Sequence, residues 1–382
     1  MDRKWKSGAA VSAPTLDNAS DGFATAGNPG TGTPATKPGP HWYHMVTEEL
    51  LAFIAAAGVA FDKTVVTQLR DAAALLFDTQ GVPPGGRLTL TTGVSVTTTD
   101  VTAATTVRYT PHEHDRIKLY DGTRWKWYTF TELSQTLADT TKSPAASAAS
   151  KNYDMFVWDD SGTVRCTRGP LWDTGGGSNT ARGTGAGSTE LEFFGGRWVN
   201  KNAITNGPAA RRGLFVGTIG TTSANQVEDS REKRLVWQMY NAMPRPMRRV
   251  DTTNSWTYTG LYRQANASAA NQLEIVAGLI RDQVKVKVVG AAAVTVVSLS
   301  DLIVSVGIDS TSTNHPDTIV GRTEGSNSTG ANVSVQANWS GYPGLGRHTL
   351  VWLEEAGAGT NTWIGDAGVT KWQTGMIGEV MA

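Results

Sequence analysis

The stretch that decides how the fold is interpreted runs from Arg211 to Tyr258 and reads RRGLFVGTIGTTSANQVEDSREKRLVWQMYNAMPRPMRRVDTTNSWTY. It begins with a short β-type run that ends at Gly220 in a cluster of Thr, Ser and Asn. A helix is then predicted from about Glu228 to Asn241, because apolar residues recur there at helical spacing. The stripe consists of Leu235, Val236, Met239, Tyr240 and Met243. The stretch therefore predicts one helix held between β segments.

The two prolines that follow are expected to end this helix. Pro244 and Pro246 cannot donate the backbone hydrogen bond that a helix interior requires. Residues 256–261 then alternate apolar with polar or small side chains, which favours a strand. Arg234 and Trp237 lie off the apolar stripe, so we expect them to face solvent, the β units in the middle of the chain or a neighbouring chain. The helix is interpreted as a structural dock and not as an active site.

Composition favours a β-rich protein that uses little charge. The chain has 382 residues, with 34 basic and 34 acidic ones, so there is no broad electrostatic case for binding nucleic acid. Charged residues make up 18%, against about 25% in ordinary domains. The 42 glycines and the frequent threonines suit turns and pleated strands. Cys166 is the single cysteine, which excludes an intramolecular disulfide framework.

No targeting signal or membrane span is predicted. The start, MDRKWKSGAAV, carries positive charge, but no apolar region of a signal peptide follows it. The longest apolar run, Leu50 to Phe61, is shorter than the roughly 20 residues that a membrane helix needs. We therefore expect synthesis in a cytoplasm, without export by the usual route and without membrane insertion.

The N-terminal region is predicted to attach the protein to something larger. Residues 1–40 are rich in Gly, Pro, Thr and Ala, so they form either a disordered tail or an extended arm that becomes ordered against a partner. Residues 41–80 read as two short amphipathic helices, the first capped by Thr47, too small for independent stability. The candidate anchoring residues are Trp5, Leu16, Phe23, Trp42 and Tyr43.

The remainder of the chain is predicted to be β structure. Residues 81–210 are interpreted as small β units forming a shaft or collar, with hairpins at residues 117–130 and 152–167. Residues 211–382 are interpreted as the helix followed by a C-terminal antiparallel β-sandwich, jelly-roll-like and of about eight strands. Since the N-terminal half offers each chain little surface to bury, a homotrimer is expected.

Several segments resemble parts of tail-fibre and virion-appendage proteins of tailed bacteriophages and prophages. They are GTPATKPGPHWYHMVTEEL (32–50), PGGRLTLTTGVSVTTTDVTAATTVRYTP (84–111), LYDGTRWKWYTFTELS (119–134), NYDMFVWDDSGTVRCTRGPLW (152–172), TARGTGAGSTELEF (180–193), EDSREKRLVWQMYNAMPRPMRR (228–249), GRHTLVWLEEAG (346–357) and GTNTWIGD (359–366). The resemblance implies a structural component of a virion, with no catalytic residue and no cofactor carried over. The implied partners are other copies of the chain, tail or neck proteins, and a host-surface glycan or protein.

Two motifs invite a ligand interpretation. ARGTGAG, from Ala181 to Gly187, has the glycines of a phosphate loop but lacks its lysine, so a flexible turn is the favoured reading. His112 and His114 offer two imidazoles, whereas zinc sites use three or four ligands. A threefold axis would bring six such nitrogens together, and a polar turn after Pro111 is the simpler alternative.

Sequence patterns for catalysis are weak. No serine lies in a Gly-x-Ser-x-Gly elbow, and Cys166 has no histidine near it in sequence. The acidic pairs Asp159–Asp160 and Glu354–Glu355 are adjacent, so on a strand they would face opposite sides. We therefore predict a protein that is not an enzyme. A tail-borne glycan depolymerase stays open as an alternative, as does a head-fibre or capsid decoration protein.

Receptor recognition is assigned to the C-terminal domain. Residues 314–330 form a long polar loop of the kind that carries recognition on a rigid β scaffold. Most tryptophans are expected to be buried, and a minority to stack on sugar rings. The receptor-facing candidates are Asn314, His315, Asp317, Arg322, Trp339 and Tyr342.

Overall fold

The computed structural model describes residues 12–15, 24–78, 81–172, 179–294, 301–321, 323–324, 331–357, 359, 361–366, 370 and 373–382. They form two compact units that divide between Val82 and Pro83. We call residues up to Val82 the helical unit and residues from Pro83 the β unit. The fold is mainly β, with antiparallel sheets and two helices, which confirms the predicted class at this level.

The helical unit contains α1 (Pro40–Ala56) and α2 (Gln68–Asp78). The first helix starts seven residues before the predicted cap at Thr47, because Pro40 occupies its first turn, where a missing N–H costs nothing. It ends at Ala56, and Gly58, two residues further on, has a φ of 70°, a left-handed conformation that favours glycine. Neither described helix combines the length and the hydrophobicity that crossing a bilayer requires.

The strands of the β unit follow one another along the chain from Gly86 to Met381. In order they are β1 (Gly86–Thr89), β2 (Val101–Ala104), β3 (Thr106–Pro111), β4 (Arg116–Tyr120), β5 (Trp125–Thr129), β6 (Leu133–Thr136), β7 (Asn152–Asp160), β8 (Thr163–Leu171), β9 (Leu191–Phe194), β10 (Arg197–Asn200), β11 (Leu214–Ser223), β12 (Gln226–Asp229), β13 (Lys233–Arg234), β14 (Val236–Gln238), β15 (Pro244–Val250), β16 (Ser255–Thr257), β17 (Gly260–Gln264), β18 (Gln272–Ala277), β19 (Val284–Val294), β20 (Asp301–Ile308), β21 (Ile319–Gly321), β22 (Thr323–Glu324), β23 (Ala331–Gly341), β24 (Gly346–Ala356), β25 (Asn361–Ile364) and β26 (Gly375–Met381). The hairpins predicted at residues 117–130 and 152–167 are confirmed as β4–β5 and β7–β8.

Two large sheets organise these strands. The larger has the order β22-β20-β24-β18-β13-β12-β11-β10-β9, with β2, β7, β8, β14 and β17 joined to it. The second has the order β15-β26-β19-β23-β21, with β16 and β25 at its side. Strands β1, β3 and β6 form a small sheet, and β4 pairs with β5. Among the strand pairs that the structure describes, β13–β18 is the parallel one.

The β unit has two apolar cores, and neither coincides with the predicted domains. The first combines side chains from residues 88–237 with Val276. The second lies between β18, β20 and β24 of the larger sheet and β15, β19, β23, β25 and β26 of the second sheet. Because the first core crosses residue 210, that position does not separate two independently packed units.

The helix predicted from Glu228 to Asn241 is wrong. This segment forms the short strands β12, β13 and β14, which pair with β11 and β18. Leu235 and Val236 are buried as predicted, and Arg234 and Trp237 are buried as well. Of the environments expected for these two residues, solvent is excluded, whereas Trp237 shares the first core with side chains of the middle β units. Partners distant in sequence override the local helical spacing, because alternate strand residues find buried neighbours on both faces.

The prolines after this segment do not stop a helix but belong to a strand. Pro244 and Pro246 lie in β15, which pairs with β26 along its length. In the described part of the sheet β15 has no second neighbour, so it is an edge strand. A missing N–H is tolerated there because it need not bond to a further strand.

Candidate functional site

Two hairpins of the β unit bring three aromatic rings together, and a fourth ring lies on the same face of one hairpin. Strands β4 and β5 carry Tyr120, Trp125 and Trp127, and the end of β9 carries Phe194. We call these four residues the aromatic surface. Tyr120 lies 5.7 Å from Trp125 and 5.1 Å from Phe194, measured between ring centroids. Such separations are typical of stable aromatic pairs.

Strand alternation explains why the β4–β5 rings face away from the core. Ile117 and Leu119 are fully buried, so the residues between and after them point to the other side of the hairpin. On that side Tyr120 is directly opposite Trp125, and Lys118 is directly opposite Trp127. Cross-strand pairs of this kind stabilise a hairpin by a few tenths of a kcal/mol to about 1 kcal/mol each.

Trp127 is the most open ring of the aromatic surface. Its exposed fraction is 37%, and the ammonium of buried Lys118 lies 5.9 Å from its ring centroid. One side of the indole is thus occupied by its own protein, and the remainder is available to solvent. A rigid tryptophan in this position can receive a flat, apolar ligand face at little cost in conformational entropy.

Arginines border the rings contributed by β5 and β9. Arg197 lies 5.7 Å from the Trp125 ring centroid, and Arg211 lies 5.0 Å from that of Phe194. Arg211 also donates two hydrogen bonds to Glu192, of 2.8 and 2.9 Å. These cation–π contacts hold the two rings in position. They also place polar donors at the margin of the aromatic surface.

A polar cleft adjoins the aromatic surface at the tip of β4–β5. We call it the hairpin cleft; its volume is about 490 Å³. It is lined by Asp121, Thr141, Lys142, Trp158, Asp159, Asp160, Ser161, Asn206, Gly207, Ala209 and Arg212. Asp121 follows Tyr120 directly, and the Tyr120 hydroxyl donates a 2.9 Å hydrogen bond to the Gly122 carbonyl. The cleft and the aromatic surface are therefore continuous.

Two carboxylates of the cleft, Asp121 and Asp160, are held in the ionised form. Asp160 accepts 2.6 Å hydrogen bonds from Lys142 and Arg165, and these bonds lower its pKa. Burial raises the pKa of Asp121, but hydrogen bonds from Lys126 and from two backbone N–H groups outweigh it and bring the value to about 2. These two carboxyls have no proton to give near neutral pH.

The third carboxylate of the cleft is bound to a tyrosine. Asp159 accepts a 2.9 Å hydrogen bond from the Tyr128 hydroxyl and a 2.7 Å bond from the Gly162 backbone N–H. Burial, followed by the bond to Asp159, raises the pKa of Tyr128 to about 12. Asp159 and Asp160 both line the cleft, although adjacent strand residues were expected to diverge, because β7 ends there in a tight turn.

The receptor-facing candidates of the C-terminal region do not form one cluster. Trp339 is only 3% exposed and donates a 3.1 Å hydrogen bond from Nε1 to Nδ1 of His315. It therefore supports the loop from inside. Asn314 is half-buried and the side chain of Asp317 is 80% exposed. Arg322 lies outside the described residues.

Tyr342 stands apart from the other C-terminal candidates. It is 60% exposed and lines a shallow groove with Ile280 and Met381. That groove contains one charged side chain, Asp282, and is otherwise mainly apolar. Tyr342 remains an accessible recognition candidate, but without the surrounding donors and acceptors that the hairpin cleft provides.

The two histidines considered as metal ligands each have a hydrogen-bond partner within the chain. Nδ1 of His112 lies 2.9 Å from Oγ of Ser95, and Nδ1 of His114 accepts a 3.1 Å hydrogen bond from the Arg116 N–H. No group of three His, Cys, Asp or Glu side chains suited to a metal ion occurs in the described ranges. Their meeting on a trimer axis stays a prediction.

The glycine-rich segment is anchored at both ends. Arg182 donates hydrogen bonds of 2.6 and 2.9 Å to fully buried Asp154. Thr189 donates a 3.1 Å bond to the same carboxylate and is itself buried. A buried ion pair therefore holds Arg182, and the flexible turn expected at residues 181–187 stays a prediction for the glycines that follow it.

Two of the anchoring candidates can be located. Trp42 and Tyr43 lie on α1, and both are exposed. Trp5, Leu16 and Phe23 lie outside the described residues. Exposure of two large aromatic side chains on a helix is typical of a surface that another molecule covers.

Comparison with known protein families and curated proteins does not identify the chain. No protein-family model matches the chain, and no curated protein is significantly similar to it. The observations that bear on function are therefore the aromatic surface, the hairpin cleft and the helical unit.

Proposed function

We propose that the chain is a structural component of a bacteriophage virion, a tail fibre or tail appendage. It attaches through its N-terminal region and binds a host-surface glycan through the aromatic surface. The observation that carries the binding role is the open indole of Trp127, on the same face of β4–β5 as Tyr120 and Trp125. The apolar face of a sugar ring stacks on such rings, while neighbouring charged and amide groups exchange hydrogen bonds with its hydroxyls.

The helical unit supports the attachment role. Eight of the sixteen large apolar residues that are exposed in the structure lie between Trp42 and Val82. Apolar exposure concentrated in this way is characteristic of interaction sites. We infer that three copies of the chain cover these helices, together with a tail or neck protein that receives the N-terminal arm.

The C-terminal strands support an outward-facing, jelly-roll-like sandwich. Side chains from the two large sheets share one apolar core, and residues as distant as Met247 and Val380 belong to it. A rigid scaffold of this kind can hold loops and hairpin tips in fixed positions for recognition.

Binding without cleavage agrees with the electrostatics of the cleft. A glycosidase needs one carboxyl that gives a proton and one that remains ionised. The pKa values of Asp121 and Asp160 are both lowered, so neither suits the acid role. Burial raises the pKa of Glu354, but this residue is fully buried and bonded to Trp256 and Arg263.

Binding of the full chain to an array of bacterial surface polysaccharides tests this function. Trp127→Ala should weaken binding about tenfold or more, because a stacking platform is lost. Phe193→Ala is the matched control: it is 62% exposed, but it lies on the opposite side of β9 from Phe194. Unchanged binding of Trp127→Ala would contradict the proposal.

Two further measurements separate the alternatives. Release of new reducing ends from a bound polysaccharide would show a depolymerase. Imaging of intact particles with a labelled chain distinguishes a tail position, which we expect, from a head fibre or a capsid decoration.

A further inference from the structure

We propose that the hairpin cleft is a second sugar subsite, which binds an uncharged ring through neighbouring hydroxyl groups. This inference rests on the proposed function and names the ligand class for part of the same surface. Its volume of about 490 Å³ falls within the range of about 300–1,000 Å³ typical of small-molecule sites.

The cleft is built from turns that their own hydrogen bonds hold in place. Asp121 accepts hydrogen bonds of 2.8 and 2.9 Å from the N–H groups of Thr123 and Arg124 at the β4–β5 turn. Asn206 donates a 3.0 Å bond to the Thr140 carbonyl, which joins two further lining loops. The cleft is therefore preformed, which lowers the entropy cost of binding.

Trp158 contributes an aromatic wall of fixed orientation. Its Nε1 donates a 2.7 Å hydrogen bond to Oγ1 of Thr167, and the Lys142 ammonium lies 5.9 Å from its ring centroid. The ring is largely buried and cannot turn away from the cleft. It gives the apolar side of a sugar ring something to pack against.

The cleft retains an unused donor and an unused acceptor. The Arg212 guanidinium makes no hydrogen bond within the part of the chain that the structure describes, and it lies against the Gly122 backbone, where a Cβ would be only 2.2 Å from it. Oδ1 of Asp160 is likewise unbonded there, since Lys142 and Arg165 both donate to Oδ2. A donor fork and a carboxylate oxygen suit two adjacent hydroxyls, each of which donates and accepts.

The distribution of charge favours an uncharged ligand. The ammonium of Lys142 is paired with Asp160, so an anionic sugar could pair only with Arg212. It would also face Asp121, Asp159 and Asp160 in the same cleft. Like charges at close range oppose binding, whereas hydroxyl groups carry no such penalty.

Continuity with the aromatic surface indicates how a longer glycan would lie. Tyr120 belongs to that surface, Gly122 follows it in the turn, and Arg212 contacts Gly122 from the cleft side. One sugar unit stacked on Trp127 and another in the cleft would be bound together, so loss of either contact weakens binding without abolishing the other.

The test measures calorimetric binding of the full chain to oligosaccharides in matched pairs. The probes are gluco-, galacto- and manno-oligosaccharides and their uronic-acid counterparts of equal length. We expect at least one neutral probe to bind about tenfold more tightly than its uronate. Arg212→Ala should weaken binding of the neutral probe about tenfold, and Asp160→Asn should also weaken it. The control is Arg231→Ala, an exposed arginine paired with Asp100 and outside the cleft.

Each result decides a separate point. Wild-type affinity in both Arg212→Ala and Asp160→Asn, with reduced affinity in Trp127→Ala, would overturn the cleft subsite and leave the proposed function standing. Preference for a uronate that disappears in Arg212→Ala would overturn the uncharged ligand class. Failure of every probe to bind, or wild-type affinity in Trp127→Ala, would overturn the proposed function and the subsite with it.

Discussion

The helical unit and the β unit bury apolar side chains to very different extents. In the described helices, Ile54 and Ala72 are the buried apolar residues, whereas Trp42, Tyr43 and Leu69 are exposed. The β unit has two extensive apolar cores. The two cores account for the stability of the β unit, and the exposed helices support the proposal that the helical unit is covered by other chains.

The largest effect should come from the buried charge cluster of the β unit. Asp229 accepts a 2.8 Å hydrogen bond from Arg234 and a 3.3 Å bond from Arg245. Burial, and then the charge of Arg245, lowers the pKa of nearby Arg87 to about 10. Asp229→Asn leaves these cations without their counter-charge and should cost about 3–5 kcal/mol of the free energy of unfolding.

Urea denaturation of the full chain measures this loss. Asp100→Asn is the control, because its side chain is 39% exposed and pairs with Arg231 at 3.5 Å. Breaking such an exposed pair should cost about 0–1 kcal/mol. Equal midpoints for the two variants would show that the β unit does not depend on its buried charges.

The second-largest effect is expected from a change at Trp237, which tests whether the segment after Asp229 is a strand or a helix. Trp237 is 1% exposed and stacks at 6.1 Å on Phe215. Trp237→Ala should therefore cost about 3–5 kcal/mol, as large-to-small changes in a core do. Thermal melting checks this, with half-buried Met239→Ala as the milder comparison. A loss below about 1 kcal/mol would contradict the burial of Trp237 and leave it at a surface or an interface, as the helical interpretation allowed.

A smaller, pH-dependent effect is expected at Glu274. Burial raises the pKa of Glu274. The charge of Arg347, its hydrogen bonds to Glu274 and the charge of Lys233 outweigh burial and lower this pKa below 4.5. A lowered carboxyl pKa contributes stability above the unfolded value and loses it as the pH falls through the folded value. Glu274→Gln should thus cost about 1–3 kcal/mol at pH 7 and much less near pH 3.

Urea midpoints at both pH values, for the wild type and the variant, show whether the sign is right. A difference that stays constant from pH 7 to pH 3 would mean that the Glu274 carboxylate is not what the variant removes. Glu379→Gln serves as the control, because its ion pair with Lys285 is exposed.

The smallest effect on stability should come from the helical unit. Leu69 is 44% exposed on α2, so Leu69→Ser should change the free energy of unfolding of the β unit by no more than about 0.5 kcal/mol. It should nevertheless lower the mass in solution from a trimer towards a monomer. Sedimentation velocity measures that mass. A trimer that is unaffected would place the subunit contacts elsewhere, and a wild-type monomer would contradict the proposed trimer.

Local patterns in the sequence were sufficient for the hairpins but not for the segment at residues 228–241. The Asp121–Gly122 turn and the alternation around it define β4–β5 without help from distant residues. Strands β12 to β14 are two to four residues long and depend on β11 and β18 for their pairing. Helical spacing of apolar residues could not reveal partners that lie so far along the chain.

Local sequence patterns could predict only part of the candidate site. Trp125 and Trp127 lie opposite the face of Ile117 and Leu119, which the alternation alone could have indicated. Phe194 and Arg212 reach the site from segments roughly 70 to 90 residues further on, and only the sheet pairing brings them there. The tryptophan chosen from sequence, Trp339, is a buried support for its loop.

The most direct test compares two exposed aromatic residues, one from each candidate recognition surface. The measurement is the affinity of the full chain for the polysaccharide it binds best, with Trp127→Ala and Tyr342→Ala side by side. We predict about a tenfold or greater loss for Trp127→Ala and a change of less than about twofold for Tyr342→Ala. The reverse pattern would contradict recognition through the aromatic surface and assign it to the C-terminal region.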